Sequence, residues 1–306
     1  MRNRLEEYIG NDSHNVHIST FHSFGLELIE KYYELLDFLI QPKLLDDNES
    51  VIIIDEILHA KDWQYLRPRA NPEMYFNDIK QLISVLKREQ LTPDRFLSFV
   101  DADIKFLVND ESSISTRGES KGKLKKEIEK KIESLSRTRE VVEFYKLYEE
   151  KKHDEGMMDY DDILEYTVKL VEEYSDVRAD IYEDYQYILV DEHQDSSGVQ
   201  NSFLKAIWKD TEKPNIFVVG DDRQLIYGFS GAKLSYFEEF SHIFGKAKLI
   251  VLTENYRSTE SILALADDLL QSSITKDKLH SNTKIKHKIL LNEYGYPRDE
   301  ILGAGL

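Results

Sequence analysis

Cysteine is absent from the sequence, so the chain can form neither disulfides nor thiolate metal sites. Long apolar runs are absent as well. The longest, such as Val51–Ile54, have the length of a strand and fall far short of the roughly 20 residues that span a bilayer. The charged N-terminus lacks the pattern of a signal peptide. Together these absences predict a cytoplasmic protein.

A net positive charge is also lacking. The formal net charge is −18 over 306 residues, which taken alone argues against a nucleic-acid partner, because phosphate binding needs local positive charge. The charge is uneven, however: residues 117–152 are rich in Lys and Arg, whereas residues 159–195 are dominated by Asp and Glu. Whole-chain charge is therefore a poor guide to the partner of any one face.

The first part of the chain has a helical pattern with one short interruption. Residues 1–10 read as the end of a helix stopped by a glycine, and Val16–Ser19 as a short strand. The apolar spacing then predicts a helix over Phe21–Glu34, capped by Thr20 or Ser19.

The middle of the chain carries no recognisable motif. Residues 49–110 are helical in pattern and broken at prolines, and 109–122, rich in Ser, Gly and charge, is the best candidate for a linker. Residues 123–152 predict a long charged helix whose interleaved Lys and Glu are typical of a solvated face.

From residue 159 onward, short apolar runs alternate with helical segments. A helix is predicted from Asp159 to about Glu173, and another over Val199–Trp208. The apolar runs Tyr187–Val190, Ile216–Val219 and Leu249–Leu252 have strand length. This alternation predicts a parallel α/β sheet, in which ligands bind at the carboxyl ends of the strands.

The first of these strands ends in two adjacent carboxylates, Asp191 and Glu192. Three interpretations are open. They are solvated acids at a strand end, a hydrolytic carboxylate pair of glycosidase or nuclease type, or a nucleotide site. In a nucleotide site, one carboxylate holds Mg²⁺ through water and the other activates the water that attacks a γ-phosphate.

The next two strand ends favour the nucleotide site. The second strand leads through Gly220 to Asp221 and Gln224, whose amide can hydrogen-bond both a γ-phosphate oxygen and the attacking water. The third is followed by Tyr256, which can stack on a base, and by Arg257, a natural phosphate partner.

In this order the motifs resemble those of the UvrD/Rep/PcrA superfamily 1 DNA helicases. The three strand ends carry ILVDEHQDSSGVQ, VVGDDRQLIYGFSGA and LTENYRST. Upstream, HISTFHSFGLELI resembles the family's single-strand DNA motif, and MDYDDIL resembles the acidic helix start before the Asp-Glu box. MRNRLEEYIG resembles the region after the phosphate loop, and YGYPRDEILGAG the start of the second motor domain.

The resemblance implies an α/β fold with a RecA-like parallel sheet and an inserted all-helical subdomain. Residues 1–48 and 156–270 would form the two parts of the first motor domain. Residues 49–155 would be the helical insertion, and 271–306 the start of the second motor domain.

The resemblance also implies roles around ATP and Mg²⁺. Asp191 would coordinate Mg²⁺ and Glu192 would activate water. Gln224 would sense the γ-phosphate, and Arg257 would act as an arginine finger. Asp221 would belong to the nucleotide site, where Tyr256 would stack on adenine.

Five residues are implied to contact single-stranded DNA, or the 3′ tail of a duplex: Thr20, Phe21, His22, Tyr227 and Phe229. Base stacking on aromatic rings tolerates any sequence. Simpler interpretations stand beside these roles, since Phe21 fits a core residue and His22 a capping histidine. Repair proteins are further implied partners.

Three positions depart from the family pattern. His193 stands where an aromatic residue is common, and Arg223 where an acid is common. Ser230 replaces an arginine that helps to bind phosphate, although a Phe-Ser-Gly-Ala version resembles the helicase IV branch.

A P-loop, Gly-x4-Gly-Lys-Ser/Thr, is missing. The two Gly-Lys pairs, at Gly122 and Gly245, are followed by Leu and Ala and fit the motif at neither place. We therefore expect a fragment of a motor domain that lacks its phosphate-loop strand and does not hydrolyse ATP alone.

Three functions remain open at this point. The leading one is part of an ATP-dependent 3′-to-5′ DNA helicase that acts in repair or replication. The second is an ATPase-dead module that holds single-stranded DNA or a repair protein through the helical insertion and residues 121–152. The third is a metal nuclease that uses Asp191, Glu192, Asp221 and Asp222.

Overall fold

Helices dominate the computed structural model. It describes residues 2–66, 73–115, 121–211, 214–221, 224, 232, 235–236, 240–245, 247–248, 250–252 and 254–272. Within these ranges, no helix combines the length and the apolar character needed to cross a membrane.

The N-terminal part begins with helix α1, Arg2–Ile9, which stops at Gly10 in the left-handed region with φ of 60°. Helix α2, Phe21–Tyr32, begins where predicted, because Thr20 Oγ1 accepts a hydrogen bond from Ser23 N at 3.1 Å. The predicted strand Val16–Ser19 is wrong. This stretch pairs with no strand among the described residues and only links a 3₁₀ turn to the cap of α2.

A first core is built by four helices, which agrees with the helical pattern of the middle of the chain. They are α3, Asp47–Ala60; α4, Glu73–Arg88; α5, Pro93–Asn109; and α6, Lys126–Asp154. Helix α6 packs against both α3 and α5. Its inner residues Phe144, Tyr145 and Tyr148 join the buried Ile54 and Trp63 in one apolar cluster.

A second core forms around α7, Tyr160–Glu173, with α8, Ser175–Asp184, and α9, Gly198–Ile207. Helix α7 packs against α2 on one side and α9 on the other. The approach of α2 is close: a Cβ atom on Gly25 would lie 2.9 Å from Ile163 Cγ2 and closer still to Thr167 Oγ1. The lack of a side chain at Gly25 therefore sets the spacing of these two helices.

The described residues also form two short parallel sheets. Strands β1, Lys43–Leu44, and β2, Met157–Met158, form one, and β3, Ile188–Val190, and β4, Ile216–Val218, form the other. The expected parallel pairing of the first two apolar runs after residue 186 is therefore confirmed. The coarse fold is mostly helical with small parallel sheets.

The inner face of the β3–β4 sheet, formed by Ile188 and Ile216, packs on the second core. The third predicted strand, Leu249–Leu252, is wrong over the part of it that the structure describes. Residues 250–252 are exposed and pair with no described strand. An apolar run predicts strand-forming ability but does not specify a partner. Among the described residues after β4 lie helices α10, Phe240–Ile243, and α11, Glu260–Ser272.

The close approach of α2 and α7 predicts that Gly25→Ala destabilises the protein. The added methyl group would overlap Thr167 and Ile163, which outweighs the gain of about 1 kcal/mol in helix propensity and lowers the free energy of unfolding by roughly 1–3 kcal/mol. Urea denaturation measures this. Thr167→Ala in the same chain removes the nearest atom and should recover part of the loss, and a Gly25→Ala protein of unchanged stability would contradict the packing argument.

Candidate functional site

The carboxyl ends of β3 and β4 lie side by side, held by backbone hydrogen bonds that continue past the strands. Val219 N donates to Val190 O at 2.9 Å, and His193 N donates to Val219 O at 2.9 Å. The residues that follow each strand are therefore brought to one edge of the sheet. These are Asp191 and Glu192 after β3, and Asp221 after β4.

Glu192 has an unusual backbone conformation, with φ of 50° and ψ of 43°, in the left-handed region. For a residue other than glycine this region costs energy, on the order of 1–3 kcal/mol, and such strain concentrates at functional sites. The side chain is exposed, as is that of Asp191. The sharp turn thus presents two adjacent carboxylates to solvent at the strand end.

A chain of hydrogen bonds links the two strand ends through Gln194. The buried Gln194 donates through Nε2 to Glu192 Oε2 at 2.8 Å and accepts through Oε1 from Asp221 N at 3.1 Å. Gln224 Nε2 in turn donates to Asp221 Oδ2 at 2.8 Å. The structure therefore connects the predicted residues Glu192, Asp221 and Gln224. Gln194, absent from the predicted set, is the side chain that bridges them.

The acidic turn suits a hydrated divalent cation. Asp191 and Glu192 offer exposed carboxylate oxygens, the hard ligands that Mg²⁺ prefers. Asp195 adds a third carboxylate to the turn, and burial, followed by the charge of Glu192, raises the pKa of Asp195. Exposed carboxylates of this kind fit Mg²⁺ held largely through water, and Asp191 is the ligand that the sequence predicts.

His193 anchors the same turn to the protein interior. It is buried, its Nε2 lies 3.0 Å from Asn201 Oδ1 on α9, and its ring meets Phe240 edge-on at 5.6 Å. Burial lowers the pKa of His193, which favours the neutral ring. Asn201 also donates to Ser197 O at 2.9 Å, so the acidic turn and the start of α9 are fastened together.

The start of α2 forms a separate surface. His22 stacks on Tyr160 with ring centroids 3.9 Å apart and an interplanar angle of 17°. Tyr160 is 57% exposed, and burial lowers the pKa of His22. Thr20 is exposed, whereas Phe21 packs into the second core and meets Phe203 at 6.3 Å. Sequence reasoning missed Tyr160, because only the folded chain brings it to His22.

The third predicted segment is organised locally. Tyr256 donates through its hydroxyl to Glu254 Oε2 at 2.6 Å, and the backbone N–H groups of Arg257 and Ser258 donate to Asn255 Oδ1. None of these bonds reaches the ends of β3 and β4, and both Tyr256 and Arg257 are exposed. Their predicted contacts with a nucleotide therefore stay predictions.

Several predicted positions cannot be placed in this site. Tyr227, Phe229, Ser230, Arg223 and Asp222 lie outside the described residues.

The bridge at Gln194 predicts a specific loss in Gln194→Leu, which keeps the side-chain bulk and removes both hydrogen bonds. The free energy of unfolding should fall by roughly 1–3 kcal/mol, because the Asp221 amide is left without this acceptor. Hydrogen exchange at the Asp221 amide should become faster. Gln200→Leu, which removes a hydrogen bond to Ser197 N at 2.9 Å, is the matched control. Unchanged protection of Asp221 in Gln194→Leu would contradict the bridge.

Comparison with known proteins assigns the chain to a family. Residues 1–245 match the model of the UvrD/REP helicase N-terminal domain. The chain is 26% identical over 285 residues to the ATP-dependent DNA helicase Rep of Buchnera aphidicola, covering 92% of this chain and 36% of that protein. It is 25% identical over 312 residues to the ATP-dependent DNA helicase PcrA of Bacillus subtilis, covering 100% of this chain and 36% of that protein.

A third relative is the ATP-dependent DNA helicase PcrA of Staphylococcus epidermidis. It is 26% identical over 271 residues, which are 89% of this chain and 32% of that protein. The chain therefore spans about a third of the length of these Rep and PcrA relatives. Because the family model covers most of the sequence, from residue 1 to 245, the chain belongs to the UvrD/REP helicase N-terminal domain family.

Proposed function

We propose that this chain is part of the motor of an ATP-dependent DNA helicase, with β3 and β4 as two strands of a RecA-like sheet. The supporting observation is the hydrogen-bonded chain from Glu192 through Gln194 and Asp221 to Gln224 at two adjacent strand ends. The family and the names of its relatives agree with this function. Neither favours the alternative of an ATPase-dead binding module.

In the proposed reaction Asp191 would hold hydrated Mg²⁺, whose charge would neutralise that of the phosphates. Glu192 orients a water molecule and accepts its proton as the water oxygen bonds to the γ-phosphorus. The bond from that phosphorus to the bridging oxygen breaks, and ADP leaves with this oxygen. Gln224 donates its amide to a γ-phosphate oxygen, and Asp221 positions that amide at 2.8 Å. Arg257 and Tyr256, from the third segment, would add a guanidinium for the phosphate and a ring for the adenine.

Gln194 couples the two strand ends of the proposed site. It connects the carboxylate of Glu192 to the backbone of Asp221, which in turn holds Gln224. When Gln224 loses its hydrogen bond to the γ-phosphate, the change would therefore be transmitted to the turn that carries Glu192. We infer that the cycle drives translocation along single-stranded DNA in the 3′-to-5′ direction, in repair or replication.

The DNA strand would run over the start of α2. Tyr160 has one ring face against His22 and more than half of its surface exposed, so a base can stack on its outer side. Thr20, the N-cap of α2, is exposed next to His22 in sequence. Phe21, packed mainly in the core, would support this surface from beneath rather than stack on a base.

Helix α6 offers a second contact for phosphates. Its inner half uses cations in salt bridges: Arg139 with Asp101, Lys146 with Asp94 and Lys151 with Glu56. We call residues 121–131, which are the start of α6 and the segment just before it, the outer end of α6. The exposed lysines there form no salt bridge to a described residue; they are Lys121, Lys123, Lys125, Lys126, Lys130 and Lys131. Lysines that form no such salt bridge can neutralise DNA phosphates and release the counterions bound to them, which makes this end of α6 the more suitable one for DNA.

The carboxylate roles predict metal binding without catalysis by the isolated chain. With Mg²⁺ and ATP we expect no hydrolysis, with or without single-stranded DNA, because the sequence holds no P-loop motif. Mn²⁺ should bind weakly and lose roughly tenfold in affinity, about 1.4 kcal/mol, in Asp191→Asn. Asp176→Asn, an exposed carboxylate on α8, is the matched control. Electron paramagnetic resonance measures the free ion.

Two outcomes would change this assignment. Mn²⁺ affinity that is equal in Asp191→Asn and in the control would remove Asp191 from the metal site. DNA cleavage with Mg²⁺ and no ATP, lost in Asp191→Asn, would favour the nuclease.

The stacked pair predicts that Tyr160→Ala weakens binding of a fluorescent single-stranded oligonucleotide. Losing one stacked base costs about 1–3 kcal/mol, or about 5- to 150-fold in affinity. Tyr160→Phe should bind like the parent, because the ring suffices. Tyr8→Ala, which removes a tyrosine that is 82% exposed on α1, controls for nonspecific aromatic contacts. Equal affinities of the two alanine variants would exclude Tyr160 from the DNA path.

A further inference from the structure

The first turn of α7 contains an acidic run whose role the proposed ATP chemistry does not explain. Asp159 caps the helix and accepts from Asp162 N at 3.0 Å, while Asp162 Oδ2 accepts from Asp159 N at 2.6 Å. Capping boxes usually pair Ser or Thr with Glu or Gln. Here both side chains of the capping box are carboxylates, Asp159 and Asp162. Asp162 is also buried, with only 1% of its surface exposed. Two negative charges near the interior require compensation.

Two buried lysines from different helices of the first core provide that compensation. Lys87 of α4 donates through Nζ to both Asp159, at 3.1 Å from Oδ2, and Asp162. Lys152 of α6 donates to Asp159 Oδ2 at 2.6 Å and Asp162 Oδ2 at 2.7 Å. Each lysine is 1% exposed. The two ammonium groups therefore hold both members of the cap at once.

The third aspartate of the turn has its own partner. Arg88, the residue after Lys87, places Nε 3.2 Å from Asp161 Oδ1. Both partners also lie near His22: burial lowers the pKa of that ring most, Asp161 raises it, and Arg88 lowers it. Thus Asp159, Asp161 and Asp162 each meet a cation supplied by α4 or α6. We call the set of Lys87, Arg88 and Lys152 the aspartate clamp.

Two glutamates lie beside the clamp. Glu149 Oε1 lies 2.9 Å from Lys87 Nζ and 3.0 Å from Lys152 Nζ. Burial raises the pKa of Glu165 to about 8, so that this group is mostly protonated at neutral pH. The oxygens of Glu149, Asp162 and Glu165 have metal-like spacing, within 4.8 Å of one another. The two ammonium groups already serve as the cations there, and no metal need be invoked.

The clamped turn also carries Tyr160, which lies between Asp159 and Asp161 in sequence and stacks on His22. The end of α4 further reaches α9, because Ser202 Oγ donates to Gln90 Oε1 at 2.8 Å. The end of α4 and the residues just after it therefore contact both the turn that carries Tyr160 and the helix that follows the acidic turn of β3.

We propose that Lys87, Arg88 and Lys152 are positioning residues that fix the orientation of Tyr160 on His22, so that helices α4 and α6 control the geometry of the stacked surface. Buried charge pairs satisfy their partners in a narrow range of positions, and shifting a helix would leave a buried carboxylate uncompensated. The effect of the clamp on DNA rests on the proposed function, whereas its effect on the stacked rings does not.

The test uses Arg88→Gln, because Arg88 is partly exposed and its loss spares the buried lysines. Arg88→Lys keeps the charge. Lys80→Gln is the matched control, since Lys80 lies on the same helix and pairs with Asp47 at 2.8 Å, away from α7. Proton NMR at pH 8 observes the signals of the His22 ring, which are assigned by their loss in His22→Gln. At this pH the ring is neutral, so its chemical shifts report stacking on Tyr160 rather than titration.

We expect Arg88→Gln to move the His22 signals toward their position in Tyr160→Leu and to weaken oligonucleotide binding by roughly fivefold, less than the full loss of a stacked base. Arg88→Lys should restore most of both, and Lys80→Gln should change neither. Lys87→Met combined with Asp162→Asn removes one buried charge of each sign, and in the folded protein it should shift the same signals.

The outcomes separate the two proposals. Unchanged His22 signals in both Arg88→Gln and the folded double variant would overturn the clamp. If those signals move but Tyr160→Ala leaves the DNA affinity intact, the clamp stands and the role of Tyr160 in DNA binding fails.

Discussion

The parallel pairing of β3 with β4 is the interaction on which the candidate site depends. Neighbouring strands lie about 4.8 Å apart, so the residues that follow them emerge close enough for one side chain to span the gap. Gln194 does so with an amide that has a donor at one end and an acceptor at the other. The orientation of that amide is fixed, because its NH₂ group must face a carboxylate and its oxygen a backbone N–H.

Helix α7 connects the two surfaces of the protein. It packs against α2, which carries His22, and against α9, which follows the acidic turn of β3. Its first turn is held by the aspartate clamp, and its middle meets α2 at Gly25 without an intervening side chain. A shift of α7 would therefore change the stacked pair and the strand ends together, as the proposed coupling of ATP hydrolysis to DNA movement requires.

Hydrogen bonds within one helical turn could be predicted from the sequence, whereas contacts between residues far apart in the chain were harder to predict. The caps at Thr20 and Asp159 follow from hydrogen bonds within one turn, so their helices begin where the sequence predicts. Val16–Ser19 shows the limit, because strand-like composition specifies no partner. Gln194 and Tyr160 were missed for the same reason. The role of each depends on a residue that only the fold brings near, Asp221 for one and His22 for the other.

Charge shows the same limit in another form. The net charge of −18 suggests a protein that repels nucleic acid. The charged groups differ, however, in whether they form salt bridges within the protein. The acids at the start of α7 are neutralised internally by Lys87, Arg88 and Lys152, and these cations are thereby withdrawn from any partner. The lysines at the outer end of α6 have no such salt bridge to a described residue. Affinity for phosphate depends on the cations that form no internal salt bridge, so a strongly acidic chain can still present a face that attracts phosphate.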